Sequence, residues 1–234
     1  MIEKIVHVLC EGQTEQGFVD DVLKPYLILK GITSVKSILV TTNKKKNVRG
    51  GLVSYQHALD DLSIMIKSNI DGEYERHIFT TMFDLYALPN DFPGYEKSHS
   101  IIVDRYSKVE SFERAFYNAV SSNRFVPYIQ LHEYEALVFC GLDYLSQMYE
   151  GCERSIKRLK SDLLVVNNNP ELINDRPDTA PSKRIIKAIE GDRRTHYIYD
   201  KPKAGKFVAQ RVGIDELCNK CVHFKKWIEK LIEA

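Results

Sequence analysis

Three apolar runs in this sequence each stop at a carboxylate. Residues 4–10 lead into Glu11, residues 77–83 into Asp84, and residues 127–131 into His132 and Glu133. Between these runs the apolar spacing changes from a short continuous block to a helical period. Phe18, Val19, Val22 and Leu23 share a face, as do Tyr55, Ala58, Leu59, Leu62, Met65 and Ile66, and then Phe112, Ala115, Phe116 and Ala119. With a further strand over 37–42 and a helix after 135, the reading is β-α-β-α-β-α-β-α over about 145 residues. Such alternation predicts an α/β fold, a mostly parallel sheet flanked by helices. Ligands of such sheets sit at the carboxyl ends of the strands, where these acids fall.

The rest of the chain reads differently. Residues 152–166 predict a helix, 167–181 a loop rich in Asn, Asp and Pro, and Ser182 an N-cap opening another helix. Residues 214–232 carry an apolar stripe of Leu217, Cys221, Phe224, Ile228 and Leu231. The expected division is an α/β domain over 1–148 with a helical extension over 149–234 packed on it. Pro25 is expected to end or kink the first helix.

Composition limits the function classes. A net charge of +1 with 28% charged residues excludes a globally basic nucleic-acid binder and leaves room for a local basic groove. No apolar stretch approaches the roughly 20 residues of a spanning helix, and the N-terminus lacks a signal-peptide layout, so a cytoplasmic setting is expected. Five cysteines, an odd number, fit a reducing compartment. Cys218 and Cys221, with His223 nearby, lack the second ligand pair that a zinc site needs.

The candidate site residues follow from the strand tips. Glu11 and Glu15 form an E-x-x-x-E pair from strand tip to first helical turn, and hard divalent cations take such oxygen ligands. Asp84 closes an apolar strand, where an acid is costly unless bonded. Asp91 reads first as a turn residue. Of Glu133 and Glu135, two apart, one is expected to face the site, and His132 is expected to be structural. The segment 43–51, with Lys44, Lys45, Lys46, Arg49 and Gly50-Gly51, reads either as a phosphate-contacting loop or as a solvated charge run. Lys183, Arg184 and Lys201 form a second basic set. Either Lys183 or Lys201 is a candidate to stabilise a pentacovalent phosphate. There is no Gly-x-x-x-x-Gly-Lys-Ser/Thr loop, Gly-x-Ser-x-Gly elbow or Gly-x-Gly-x-x-Gly loop.

Leu9-Cys10-Glu11-Gly12-Gln13-Thr14-Glu15 resembles the Glu-Gly motif of Toprim domains, the α/β metal-binding fold of topoisomerases, primases and overcoming-lysogenisation-defect nucleases. Phe83-Asp84-Leu85-Tyr86-Ala87-Leu88-Pro89, Asp91-Phe92-Pro93-Gly94 and Gln130-Leu131-His132-Glu133-Tyr134-Glu135-Ala136-Leu137 resemble a bacterial family of Toprim-like proteins of unknown function, often encoded beside ABC-type ATPases in phage-defence settings. The resemblance implies Mg²⁺ or Mn²⁺ as cofactor. It makes Glu11 the acid/base or metal residue, Glu15 an additional acid, and Asp84 the first acid of an Asp-x-Asp pair. Tyr86 departs from that pattern, standing where the second aspartate belongs; Asp91, Glu133 or Glu135 are the acids available to replace it. The implied activity is a metal-dependent nuclease acting on DNA or RNA, tRNA included, as the effector of an ATPase-linked anti-phage system, with Glu11 and Asp84 as catalytic residues; from the basic segments of the sequence itself, Lys183 is expected to join them. Lys44, Lys45, Lys46, Arg49, Arg184 and Lys201 would then contact nucleic acid, and a homodimer is compatible with this. The rival reading is a non-catalytic Toprim-like regulator docked on an ATPase.

Overall fold

The computed structural model describes residues 2–43, 48–95, 104–173 and 177–234. Strand β1 (Glu3–Cys10) pairs in parallel with β2 (Ser34–Leu39) on one side and with β5 (Glu75–Asp84) on the other. β5 then pairs in parallel with β6 (Phe125–Val126) and β7 (Ile129–Gln130). These last two continue one another at a constant register, Phe79 opposite Phe125 and Phe83 opposite Ile129. Pro127, which has no N–H to give, interrupts them. The Thr81 hydroxyl bridges the gap, donating to Tyr128 O (2.9 Å) and accepting from Tyr128 N (3.2 Å).

The strand order β2-β1-β5-β6 matters for function. The chain leaves β1 toward β2 and then crosses to the far side for β5. The crevice between the carboxyl ends of β1 and β5 is therefore the topological switch point.

Side chains alternate to the two sheet faces. Val6, Val8, Cys10, Ile78 and Met82 join one buried cluster; Leu9, Phe79 and Phe83 join the other. Helices α3 (Tyr55–Ser68) and α4 (Arg105–Val120) cover the second face with Ala58, Leu62, Val109, Phe112 and Phe116. α3 is capped by the Ser54 hydroxyl and α4 by Asp104. The first face is covered by α1 (Gln13–Phe18) and α2 (Lys24–Leu29), together with the later helices. These are α5 (Glu135–Val138), α6 (Leu142–Met148), α7 (Glu153–Val165), α8 (Pro181–Ile189), α9 (Lys201–Val212), α10 (Ile214–Lys220) and α11 (Val222–Glu233). Phe18, Tyr134, Phe224 and Trp227 meet there. Each such fully buried ring or Leu contributes about 1.5–3 kcal/mol. No helix among the described residues is long and apolar enough to cross a membrane.

Several expectations need correction. Pro25 does not end the first helix: a π turn, Val19–Leu23, hands over to α2 with Pro25 in its first turn, where a missing N–H costs little. The second strand is Ser34–Leu39, not 37–42, and the polar segment after it is a hairpin, β3 (Thr41–Asn43) with β4 (Val48–Arg49). Ala180, not Ser182, is the N-cap of α8. The predicted helix over 214–232 is two helices that break at Cys221. Helix α9 is not among the helices that the sequence pattern predicts.

Candidate functional site

Five carboxylates meet at the switch point. Glu11 follows β1, with its backbone N–H bonded to Met82 O of β5 (3.1 Å). Its Oε2 accepts the Asp84 N–H at 2.9 Å, which ties the two strand tips together. The Leu52 N–H bonds the same side chain. Glu15 lies one helical turn on and is buried; its Oε2 accepts the Gly12 N–H at 2.8 Å. This is the carboxylate half of a capping box, so Glu15 caps its helix as well as facing the crevice.

Asp84 ends β5, and its Oδ1 accepts the Tyr134 N–H at 2.9 Å. That bond depends on His132, which takes a left-handed backbone (φ 65°), an uncommon choice for a residue with a side chain. Two bonds hold His132 there: Nε2 to Glu171 O at 2.9 Å and Nδ1 to the Tyr86 hydroxyl at 2.8 Å. Burial pushes its pKa down to about 4, so the ring is neutral. Since a carbonyl can only accept, Nε2 carries the proton and Nδ1 accepts from Tyr86. The turn at His132 returns residues 133–135 to the strand tips. Glu133 Oε1 accepts the Ser182 N–H at the start of α8. Glu135 is buried, and Lys201 Nζ pairs with its Oε1 at 2.9 Å.

Burial is the first cause raising the carboxyl pKa values of Glu11, Glu15, Asp84 and Glu135. Mutual repulsion adds to it: Asp84 feels the charges of Glu15, Glu11, Glu135 and Glu133. Glu15 is pushed up to about 7. Lys201 responds oppositely: burial would lower its pKa, but Glu135, Glu133 and Asp84 outweigh that and hold it above the usual lysine value. Carboxylates this close cannot all ionise without more positive charge than one ammonium supplies.

Further atoms in the crevice lack hydrogen bonds among the described residues. The buried hydroxyls of Tyr134 and Tyr199 have no partner there, and Glu135 Oε1 has the Lys201 ion pair but no hydrogen bond of good geometry. Burial first, then nearby carboxylates (Glu15 ahead of Glu135 for Tyr134, Glu135 for Tyr199), raises both tyrosine pKa values, which puts these hydroxyls beside the acids. The donor set is all oxygen, the chemistry of Mg²⁺ or Mn²⁺. Among the described residues no three of these side chains already surround one point as ligands; each is turned onto a backbone N–H or onto Lys201. The set fits a hard divalent cation in chemistry and in unmet charge.

The structure thus gathers Glu11, Glu15, Asp84, Glu133 and Glu135, and brings in both of the last two where one was expected. Lys201 is in the cluster rather than on a nucleic-acid-binding surface of its own. It is the first residue of α9, whose N-cap is Asp200, bonded to Lys203 N at 3.1 Å. Lys183 is exposed on α8, and of the two candidate lysines it is Lys201 whose ammonium reaches the acids, so Lys183 is not placed for the catalytic role expected of it. Arg184 is occupied inside the fold, donating to Thr179 O and to Asp162 Oδ2 (2.8 Å), and does not offer itself to nucleic acid. Asp91 caps α3 through Ser54 and Tyr55 and leaves the cluster. Arg49 is exposed on the hairpin rooted beside the site: Gly51 N bonds Glu11 O at 2.8 Å, and a Cβ on Gly50 (φ 92°) would lie 3.7 Å from the same carbonyl. Lys44, Lys45 and Lys46 lie outside the described residues.

The model of a family described as a domain of unknown function (DUF4276) matches residues 10–232. No curated protein and no solved structure matches the chain.

Proposed function

The chain belongs to the family of the domain of unknown function DUF4276, and from its site we propose a divalent-cation-dependent phosphodiester hydrolase acting on nucleic acid. The observation that carries this reading is the convergence of five acids and one lysine on the switch-point crevice. Glu11, Glu15, Asp84, Glu133 and Glu135 are the residues that would hold Mg²⁺ or Mn²⁺. A bound ion of this kind supplies polarisation of a phosphoryl oxygen and a more acidic water.

The protein's own groups do the rest. Lys201 sits against Glu135 and exchanges that contact for a phosphate oxygen, offsetting charge on the phosphoryl group. The carboxyls of Glu11, Glu15, Asp84 and Glu135, all held above their ordinary pKa, would release protons as the ion binds. Tyr134 and Tyr199, packed beside Glu135, exclude bulk water. The Toprim resemblance adds the setting: a cytoplasmic effector acting with an ABC-type ATPase against phage, on DNA or RNA.

Tyr86 favours a second reading, a regulatory partner of an ATPase. It stands where the resemblance expects an aspartate, and its hydroxyl is spent on His132. Cleavage of DNA and RNA with Mg²⁺ or Mn²⁺ separates the two. Glu11→Gln and Asp84→Asn should each lose at least roughly 100-fold in rate. Variants as active as wild type would refute the assigned roles, and no cleavage by wild type would leave the regulatory reading.

A further inference from the structure

A pinned, non-helical segment runs into the site from the α8 side and turns apolar side chains outward. Residues 195–200 have no regular structure, yet the backbone is held on both sides. Asp192 accepts from Arg194 Nε (2.9 Å) and from the Ser155 hydroxyl (2.8 Å), and its carbonyl accepts Thr195 N (3.1 Å). Tyr199 N donates to Glu190 Oε1 (3.0 Å) and Asp200 N to the Tyr149 hydroxyl (3.2 Å). Lys201 follows directly.

Within this frame the tyrosines form a ladder. Tyr199 is buried beside Glu135. Its ring centroid lies 6.3 Å from that of Tyr149, which in turn meets Tyr197 edge-on at 5.4 Å. Tyr197 is 40% exposed and Ile198 80% exposed, with Arg193 and His196 exposed beside them. One exposed isoleucine is ordinary. A backbone-held aromatic–aliphatic pair with Arg193 exposed beside it, four residues from the Lys201 ammonium that pairs with Glu135, is the composition of a base-stacking surface on a basic track. At about 3.3 Å per extended residue, Tyr197 lies within roughly 14 Å of Lys201, two to three nucleotides along a strand.

We propose that Tyr197 and Ile198 form a platform that stacks unpaired bases of a single-stranded nucleic acid as its backbone enters the Glu11–Asp84 crevice. This rests on the phosphodiesterase reading and names its substrate class. Paired bases keep their faces inside the duplex, so the surface selects single strands or frayed ends.

The test is fluorescence anisotropy on the full chain, with Ca²⁺ neutralising the acids, using labelled single-stranded DNA, single-stranded RNA, an abasic strand of equal length and a duplex. Wild type should bind base-bearing single strands at least tenfold more tightly than the abasic strand or the duplex. The exposed double variant Tyr197→Ala/Ile198→Ser should lose most of that preference, about 5- to 150-fold for one stacked base. Equal affinity for base-bearing and abasic strands, no binding at all, or a variant that keeps the preference would overturn the platform and leave the patch to a protein partner. Hydrolysis of bis(p-nitrophenyl) phosphate, which carries no base, is measured alongside. Its absence in wild type counts against the phosphodiesterase chemistry, whereas loss of base preference alone counts against the platform.

Discussion

Replacing Glu15 with glutamine should stabilise the protein above neutral pH and change little near pH 4. The Glu15 carboxyl is buried, and its pKa rises from 4.5 to about 7, first through burial and then through the nearby Glu11 charge. For an acid whose folded pKa is raised, the folded state keeps a proton that the unfolded chain has released. Stability is therefore full below pH 4.5 and falls as pH rises toward 7. A shift of this size corresponds to about 3 kcal/mol at pH 8. Glutamine keeps the oxygen that accepts the Gly12 N–H and removes the charge. In a chain of 234 residues, 3 kcal/mol is roughly 6–12 °C in melting temperature. Thermal melts of the metal-free protein from pH 4 to 8 should show wild type losing stability through pH 4.5–7, with Glu15→Gln flatter and higher by about 3 kcal/mol at pH 8. Parallel curves for the two proteins across that range would refute the assigned burial and repulsion.

Glu171→Ala should cost roughly 3 kcal/mol or more by urea unfolding, because Glu171 is fully buried and accepts His223 N, Phe224 N and the Tyr106 hydroxyl, leaving all three without an acceptor. Gly205→Ala places a Cβ 2.5 Å from Tyr134 Cε1; it should destabilise by about 1–3 kcal/mol and, by shifting the residue whose N–H holds Asp84, lower the proposed phosphodiesterase activity more than the stability loss accounts for.

The sheet and the acids at its edge were legible because their causes are local. Apolar blocks that change from strand to helical period dictate the alternation, and a carboxylate at the end of a buried strand has few places to go. The failures have equally physical origins. Helix α9 begins Lys201-Pro202-Lys203 and shows little apolar stripe in its first turn, although Asp200 as N-cap and Pro202 behind it were an available signal. With that helix missed, the lysine delivered to Glu135 could not be separated from Lys183. Arg184 looked free because a sequence does not reveal a partner such as Asp162, 22 residues away. Pro25 looked like a terminator because a π turn leaves no mark in composition. Glu171 gave no sign in its loop of Asn, Asp and Pro, since its role depends on a helix that begins half a hundred residues later.

Calorimetric titration of the chain with Mn²⁺ near pH 6.5, in two buffers of different ionisation heat, tests the central claim directly. Acids held above their ordinary pKa must shed protons to bind a cation. The account predicts saturable binding, an apparent heat that differs between the buffers by the protons released, and at least tenfold weaker binding for Asp84→Asn. No saturable heat, or binding that is as tight in Asp84→Asn as in wild type, would contradict it.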